Sequence, residues 1–274
     1  MTSWSVYSEQ PGATQLLQNI DPVYLVQPAV VIAICVVLLL YWHRRRRFRL
    51  SVFGFSLLAY AAAIGLKYEV QIPTIDSVRA YFGSERVGLG VYYGLQTVFF
   101  EVGLAYLVAR WAIKRGGMNR NDAEGYGAGL AFWENGVLLG ALSLVNLVSY
   151  LAILSSPTPL AQIVYDQLSA RASYLFNPTP LAFASVAAGT VERFASILVH
   201  FAWGYLCVMA VALNRRSLFL IALPMGLVDS LVPFAGPLGI PLFESAVLAL
   251  SIISISVAFF SVRRAARAAP TPSA

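Results

Sequence analysis

Residues 22–49 read PVYLVQPAVVIAICVVLLLYWHRRRRFR. In residues 22–42 Gln27 is the sole amide or charged side chain, and five arginines follow between Arg44 and Arg49. A helix needs about 20 mostly apolar residues to cross a bilayer. Arginine-rich segments beside such a helix stay on the cytoplasmic side. This stretch is therefore predicted to be a membrane span with an inner loop after it, and it places the N-terminus outside.

The rest of the chain repeats the pattern. Of 274 residues, 58% are apolar and 12% charged, and the mean hydropathy is +0.70. Soluble domains carry about 25% charged residues, so a soluble globule is excluded, as are disorder, collagen, coiled coil and a disulfide scaffold. Six further spans are predicted, at roughly 50–70, 88–112, 126–154, 184–213, 217–235 and 242–262. The fold class is thus an all-α polytopic bundle. It comprises an extracytoplasmic segment over 1–21, one membrane domain over 22–262 and a basic cytoplasmic tail over 263–274. The fourth and fifth spans exceed the bilayer's needs and are expected to tilt or project. No secretory signal pattern precedes the first span, which reads as an uncleaved anchor. The end of the tail, from Ala265, reads as disordered.

The net charge of +6 does not imply nucleic acid. Thirteen of the nineteen Lys/Arg lie in four clusters: Arg44 to Arg49, Lys114 to Arg120, Arg215 with Arg216, and Arg263 to Arg267. All four agree with one topology, N-out and C-in, and contact with anionic headgroups explains the basic balance. The protein is expected in the plasma membrane as a multi-pass protein. Cys35 and Cys207 fall inside apolar runs and read as small buried hydrophobes. Between the fourth and fifth spans, residues 159–174 place Leu160, Ile163, Val164, Leu168 and Ala172 at helical spacing. This is an interfacial helix that either packs on the bundle or gates a cavity.

Acids inside spans carry the functional signal. An Asp or Glu at mid-span costs roughly 2.5–3.5 kcal/mol on insertion scales and so faces a cavity or a partner. Glu101, Glu134 and Asp229 fall inside three spans, and His200 inside a fourth. Counted from the inner ends of their helices, all four lie roughly 15–21 Å deep at 1.5 Å per residue. Glu192, Ser196 and His200 share one helix face, Arg193 adjoins them, and Asn135 follows Glu134. Tyr93, Gln96 and Thr97 precede Glu101. Glycines 127, 129 and 136 allow close packing, and Pro224 and Pro233 bracket Asp229 and can break its helix. Such a set can hold a divalent metal, activate water through a carboxylate and an imidazole, relay protons, or form buried hydrogen-bonded pairs.

Four segments also resemble a family. They are Phe100-Glu101-Val102-Gly103-Leu104-Ala105, Tyr126-Gly127-Ala128-Gly129-Leu130-Ala131-Phe132-Trp133-Glu134, Glu192-Arg193 with His200, and Met225-Gly226-Leu227-Val228-Asp229. In order and spacing they are similar to the YhfC-type intramembrane metalloproteases, relatives of the PrsW proteases and the CAAX prenyl endopeptidases. The family pattern is Glu-Glu-x-x-Arg/Lys, Phe-Gly-x-Gly-His-Gly-x-x-Glu, Glu-Arg with a later His, and His-x-x-x-Asp. The resemblance covers about half the chain and leaves out the first two spans. Here Val102 and Ala105 replace the second Glu and the basic residue, and Leu130 and Met225 replace two histidines.

The resemblance implies peptide-bond hydrolysis within the bilayer. Glu101, Glu134 and His200 are its catalytic candidates, and Glu134, His200 and Asp229 its ligands for a divalent metal, zinc in the family. Glu192, Arg193, Ser196 and Asn135 support them. The oxygen-rich remainder suits a harder cation than zinc, or none. The substrate would be a transmembrane protein or peptide. Two other readings stand beside this one: a non-catalytic relative that binds a transmembrane partner or lipid in the same cavity, and a small ion-coupled transporter.

Overall fold

The computed structural model describes residues 19–83 and 85–267. Most of the expected extracytoplasmic segment, and the tail beyond Arg267, lie outside these residues. Among the described residues there is no strand, and seven helices are long and apolar enough to cross a membrane. They are α1 (Pro22–Arg46), α2 (Ser51–Phe82), α3 (Arg86–Lys114), α4 (Arg120–Leu154), α6 (Thr179–Ala212), α7 (Arg216–Leu238) and α8 (Ile240–Arg267). Between α4 and α6 lies the shorter α5 (Pro159–Arg171). α2 runs furthest past its predicted end, continuing through Glu69 and Asp76 despite Pro73. α8 continues to Arg267, so the first residues of the stretch expected to be disordered, from Ala265, are helical.

α6 is the axis of the bundle. In its most apolar window 78% of the residues are buried, against 11–33% in the other spans. α1, α4, α7 and α8 pack around it. The contact with α4 needs glycine on both sides. A Cβ on Gly127 would lie 2.5 Å from the Phe201 carbonyl oxygen, and one on Gly204 2.7 Å from the Gly127 Cα. α3 and α7 meet in the same way. A Cβ on Gly90 would lie 2.5 Å from the Ser230 carbonyl oxygen, and one on Gly226 2.9 Å from the Val98 nitrogen. With no hydrophobic effect between helices in lipid, such small-residue contacts let dispersion and polar contacts hold the bundle. The outward surfaces of the spans present large apolar side chains such as Val37, Leu40, Val145 and Phe260.

The basic clusters gather at one end. Arg46 pairs with Glu124 at 2.8 Å, and Arg49 with the buried Asp122 at 2.8 Å. The Asp122 carboxylate holds the Arg49 guanidinium above its ordinary pKa. It also closes a capping box with Asn119 at the start of α4. At the opposite end α5 packs through Ala161, Val164 and Leu168 on Leu154, Leu175, Ala182 and Tyr24. Leu160 and Ile163, expected on that apolar stripe, are instead exposed. Helix rotation sets which residues face inward, and Ala161 fits the tight contact that a leucine would not. Cys35 and Cys207 are free and buried, as their apolar surroundings imply.

Three spans depart from α-helical geometry where their acids lie. Thr97–Val102 in α3 and Phe132–Ala141 in α4 are π-helical, and Leu223–Phe234 in α7 is a 3₁₀ helix. A π turn inserts an extra residue and re-aims the side chains on it. In α7 the cause is in the sequence, because Pro224 and Pro233 donate no backbone hydrogen bond.

These glycine contacts generate a stability prediction. Gly127→Ala and Gly90→Ala each meet backbone atoms and should destabilise by about 1–3 kcal/mol, as overpacking does. Gly65→Ala, which meets nothing within 4 Å, should not. Thermal unfolding midpoints of the purified protein in detergent test this, with the first two lowered and the third unchanged.

Candidate metal and catalytic centre

A cavity of about 220 Å³ opens inside the bundle, and Glu101, Glu134, Glu192, Arg193, Ser196, His200 and Asp229 all line it. The depth comparison along the chain thus converges on one place. One supporting residue goes elsewhere: Asn135 is fully buried and bonds the Ala131 carbonyl at 3.3 Å. A neighbouring cavity of about 340 Å³ lies beside the first.

His200 shows how the centre is built. Its Nδ1 lies 2.8 Å from the Ser196 carbonyl oxygen. A carbonyl only accepts, so Nδ1 carries a proton, and Nε2 faces the carboxylates. Nε2 lies 3.2 Å from Glu101 Oε2 and also contacts Glu134 Oε2. A bare Nε2 lone pair against two carboxylates is repulsive, so a proton or a cation belongs between them. The same arrangement, Nδ1–H on a carbonyl and Nε2 toward the metal, orients histidine ligands in metalloenzymes. The His200 ring also packs on Trp203 at 4.1 Å between centroids.

The carboxylates are held unequally. Glu101 is 7% exposed, and both its oxygens are bonded, one to His200 and one to Lys67 Nζ at 2.5 Å. Glu134 Oε2 is buried, and its polar contact is with His200 Nε2. Asp229 accepts from the Thr97 hydroxyl and, at 3.2 Å, from Lys67 Nζ. Arg193 pairs with its neighbour Glu192.

Lys67 is a further residue of the centre, outside the set that the spans and motifs point to. It lies midway along α2, whose apolar character hid it, and its partners come from α3 and α7. A mid-span lysine costs as much to insert as an acid, so the signal was available, and a basic partner for three buried acids was to be sought. The motif position for a basic residue is Ala105. Here the base reaches Glu101 from another helix.

One ligand atom each from Glu101, Glu134 and His200 lie within 4.8 Å of one another. The structure thus groups Glu101, rather than Asp229, with Glu134 and His200. Atoms around a tetrahedral zinc lie roughly 3.3 Å apart, given bonds near 2.0 Å, so small side-chain rotations close these three on one ion. The cavity's charges also fit. Four acids face Lys67 and Arg193, which leaves two negative charges when His200 is neutral. The facing of His200 Nε2 and the Glu134 oxygen, together with this charge, suits a divalent cation.

The profile of a family described as YhfC intramembrane metalloprotease matches residues 30–233. The chain belongs to this family, and so to the multi-pass integral membrane proteins. The match takes in α2 and most of α1, which the motifs left out. Leu130 and Met225 are both buried in the apolar core. No curated protein and no solved structure matches the chain.

Equilibrium dialysis tests the donor set. The purified protein should retain about one zinc or manganese ion per chain, and Glu134→Gln or His200→Gln should weaken retention at least tenfold. Equal retention in both variants would assign the ion to other residues.

Proposed function

We propose that the protein hydrolyses peptide bonds of membrane-embedded substrates in the 220 Å³ cavity. The observation that carries this reading is the grouping of Glu101, Glu134 and His200 within 4.8 Å inside the bundle, in a chain of an intramembrane metalloprotease family. Glu101, Glu134 and His200 would hold a divalent cation. Such an ion polarises a carbonyl and makes water a better nucleophile at neutral pH.

The chain's own residues divide the remaining work. Glu134 uses Oε2 toward His200 and the ion, and its other oxygen acts as the general base that takes a proton from the attacking water. Glu101, fixed by Lys67 on one oxygen and His200 on the other, is a rigid wall of the site. Ser196 orients the imidazole through its carbonyl. The cavity is smaller than the roughly 300–1,000 Å³ of drug-sized pockets, so a peptide enters it unwound, a few residues at a time. The neighbouring cavity under α5 shares Leu139 and Arg193 with it, which makes α5 the flank along which such a segment is admitted.

A second reading has its own support. Apolar, buried Leu130 and Met225 stand where the family motifs have histidines. A non-catalytic relative would bind a transmembrane segment in the same cavity without cleaving it.

Reconstituted protein and a fluorogenic transmembrane peptide separate the two. Glu134→Gln should lower turnover at least 100-fold, the lower bound for loss of a general base, and chelation should abolish it. Binding of the peptide without turnover by the unaltered protein would establish the non-catalytic reading.

We also infer the N-out, C-in orientation from the gathering of the basic clusters at one end. Ser155 and Ser217 are exposed, and the native cysteines are buried. An impermeant maleimide should label Ser155→Cys in intact cells and Ser217→Cys only after lysis.

A further inference from the structure

We propose that Lys67 is a built-in cation that holds Asp229 out of the ligand set and keeps the site at three protein ligands. This rests on the cation-binding reading of Glu101, Glu134 and His200 given above.

The donors and acceptors around the ammonium match in number. Lys67 Nζ carries three N–H groups, and it lies 2.5 Å from Glu101 Oε1, 2.8 Å from Thr97 Oγ1 and 3.2 Å from Asp229 Oδ2. The Thr97 hydroxyl accepts from Lys67 and donates its own proton to Asp229. Asp229 Oδ2 thus takes two donors from one cluster. The ammonium is held inside the bundle: Lys67 lines the cavity, and its side chain is 17% exposed.

Asp229 is nonetheless near the cation cluster. Its Oδ2 and Glu101 Oε1 share a single ammonium, and both residues line one cavity with Glu134 and His200. Removing the ammonium would leave Asp229 an anion without a cation in a low-dielectric site, free to swing onto an ion bound to the other three. Four protein ligands close a structural metal site, whereas three leave the open position that catalysis uses. Lys67 therefore keeps the site open. It is a positioning residue, because all its donors are bound to protein.

Cobalt(II) binding to the full-length purified protein tests this. Lys67→Met should bind the ion at least tenfold more tightly than the unaltered protein, with a visible absorption spectrum altered by the added oxygen ligand. Lys67→Met with Asp229→Asn should return to within threefold of the unaltered affinity. Asp229→Asn alone should also stay within threefold, and this variant keeps the proposal testable if Lys67→Met does not fold. The proposal is overturned if Lys67→Met binds no more tightly, if the double variant stays as tight as Lys67→Met, if Asp229→Asn weakens binding tenfold, or if no form binds cobalt. Binding by Lys67→Met alone would support the proposal while removing the metal-dependent reading of the native protein. Cobalt binding as expected in all these variants, with no cleavage of the peptide by the unaltered protein, would remove the catalytic reading and leave this proposal standing.

Discussion

Charges buried in a bilayer must find partners within the protein, and one ammonium meets most of that requirement here. Lys67 is bonded to Glu101, Thr97 and Asp229 at once, and so ties α2, α3 and α7 together at mid-depth. Without water to screen them, Glu101 and Asp229 would repel each other and resist burial. With the ammonium between them one of their two negative charges is offset, and Glu134 and His200 complete the centre.

The backbone geometry serves the same requirement. For Thr97 to reach Asp229, α3 and α7 must nearly touch, and Gly90, Gly94 and Gly226 lie along that contact. For Glu134 to face His200, α4 must lie against α6, which the pair Gly127 and Gly204 permits. The π segments at Glu101 and Glu134 and the 3₁₀ segment at Asp229 then turn each side chain inward. Such irregular turns are tolerated at membrane depth because neighbouring helices and polar side chains satisfy the backbone there.

The two ends of the bundle differ in kind. The arginine-rich end is tied by ion pairs to Asp122 and Glu124. The opposite end is closed by α5 resting on apolar residues from α4 and α6. The second cavity lies under α5 and adjoins the centre through Leu139 and Arg193, so the end closed by α5 is the one that leads toward the acids.

The seven spans were legible because a bilayer imposes length and apolarity on each segment by itself. The midplane acids were legible for the same reason, since Glu101, Glu134 and Asp229 have no cause to sit in apolar runs unless they meet something. The sequence by itself thus determined the class of protein, the number of spans and most of the groups that line the cavity. It did not show which of them pair. That His200 turns toward Glu101 and Glu134, that Asp229 belongs to Lys67, and that Asn135 points away all depend on helix rotation, on π and 3₁₀ turns, and on which glycines meet. Those are settled by contacts between residues about 30 to 160 positions apart, and only the packed bundle brings such residues within hydrogen-bonding distance.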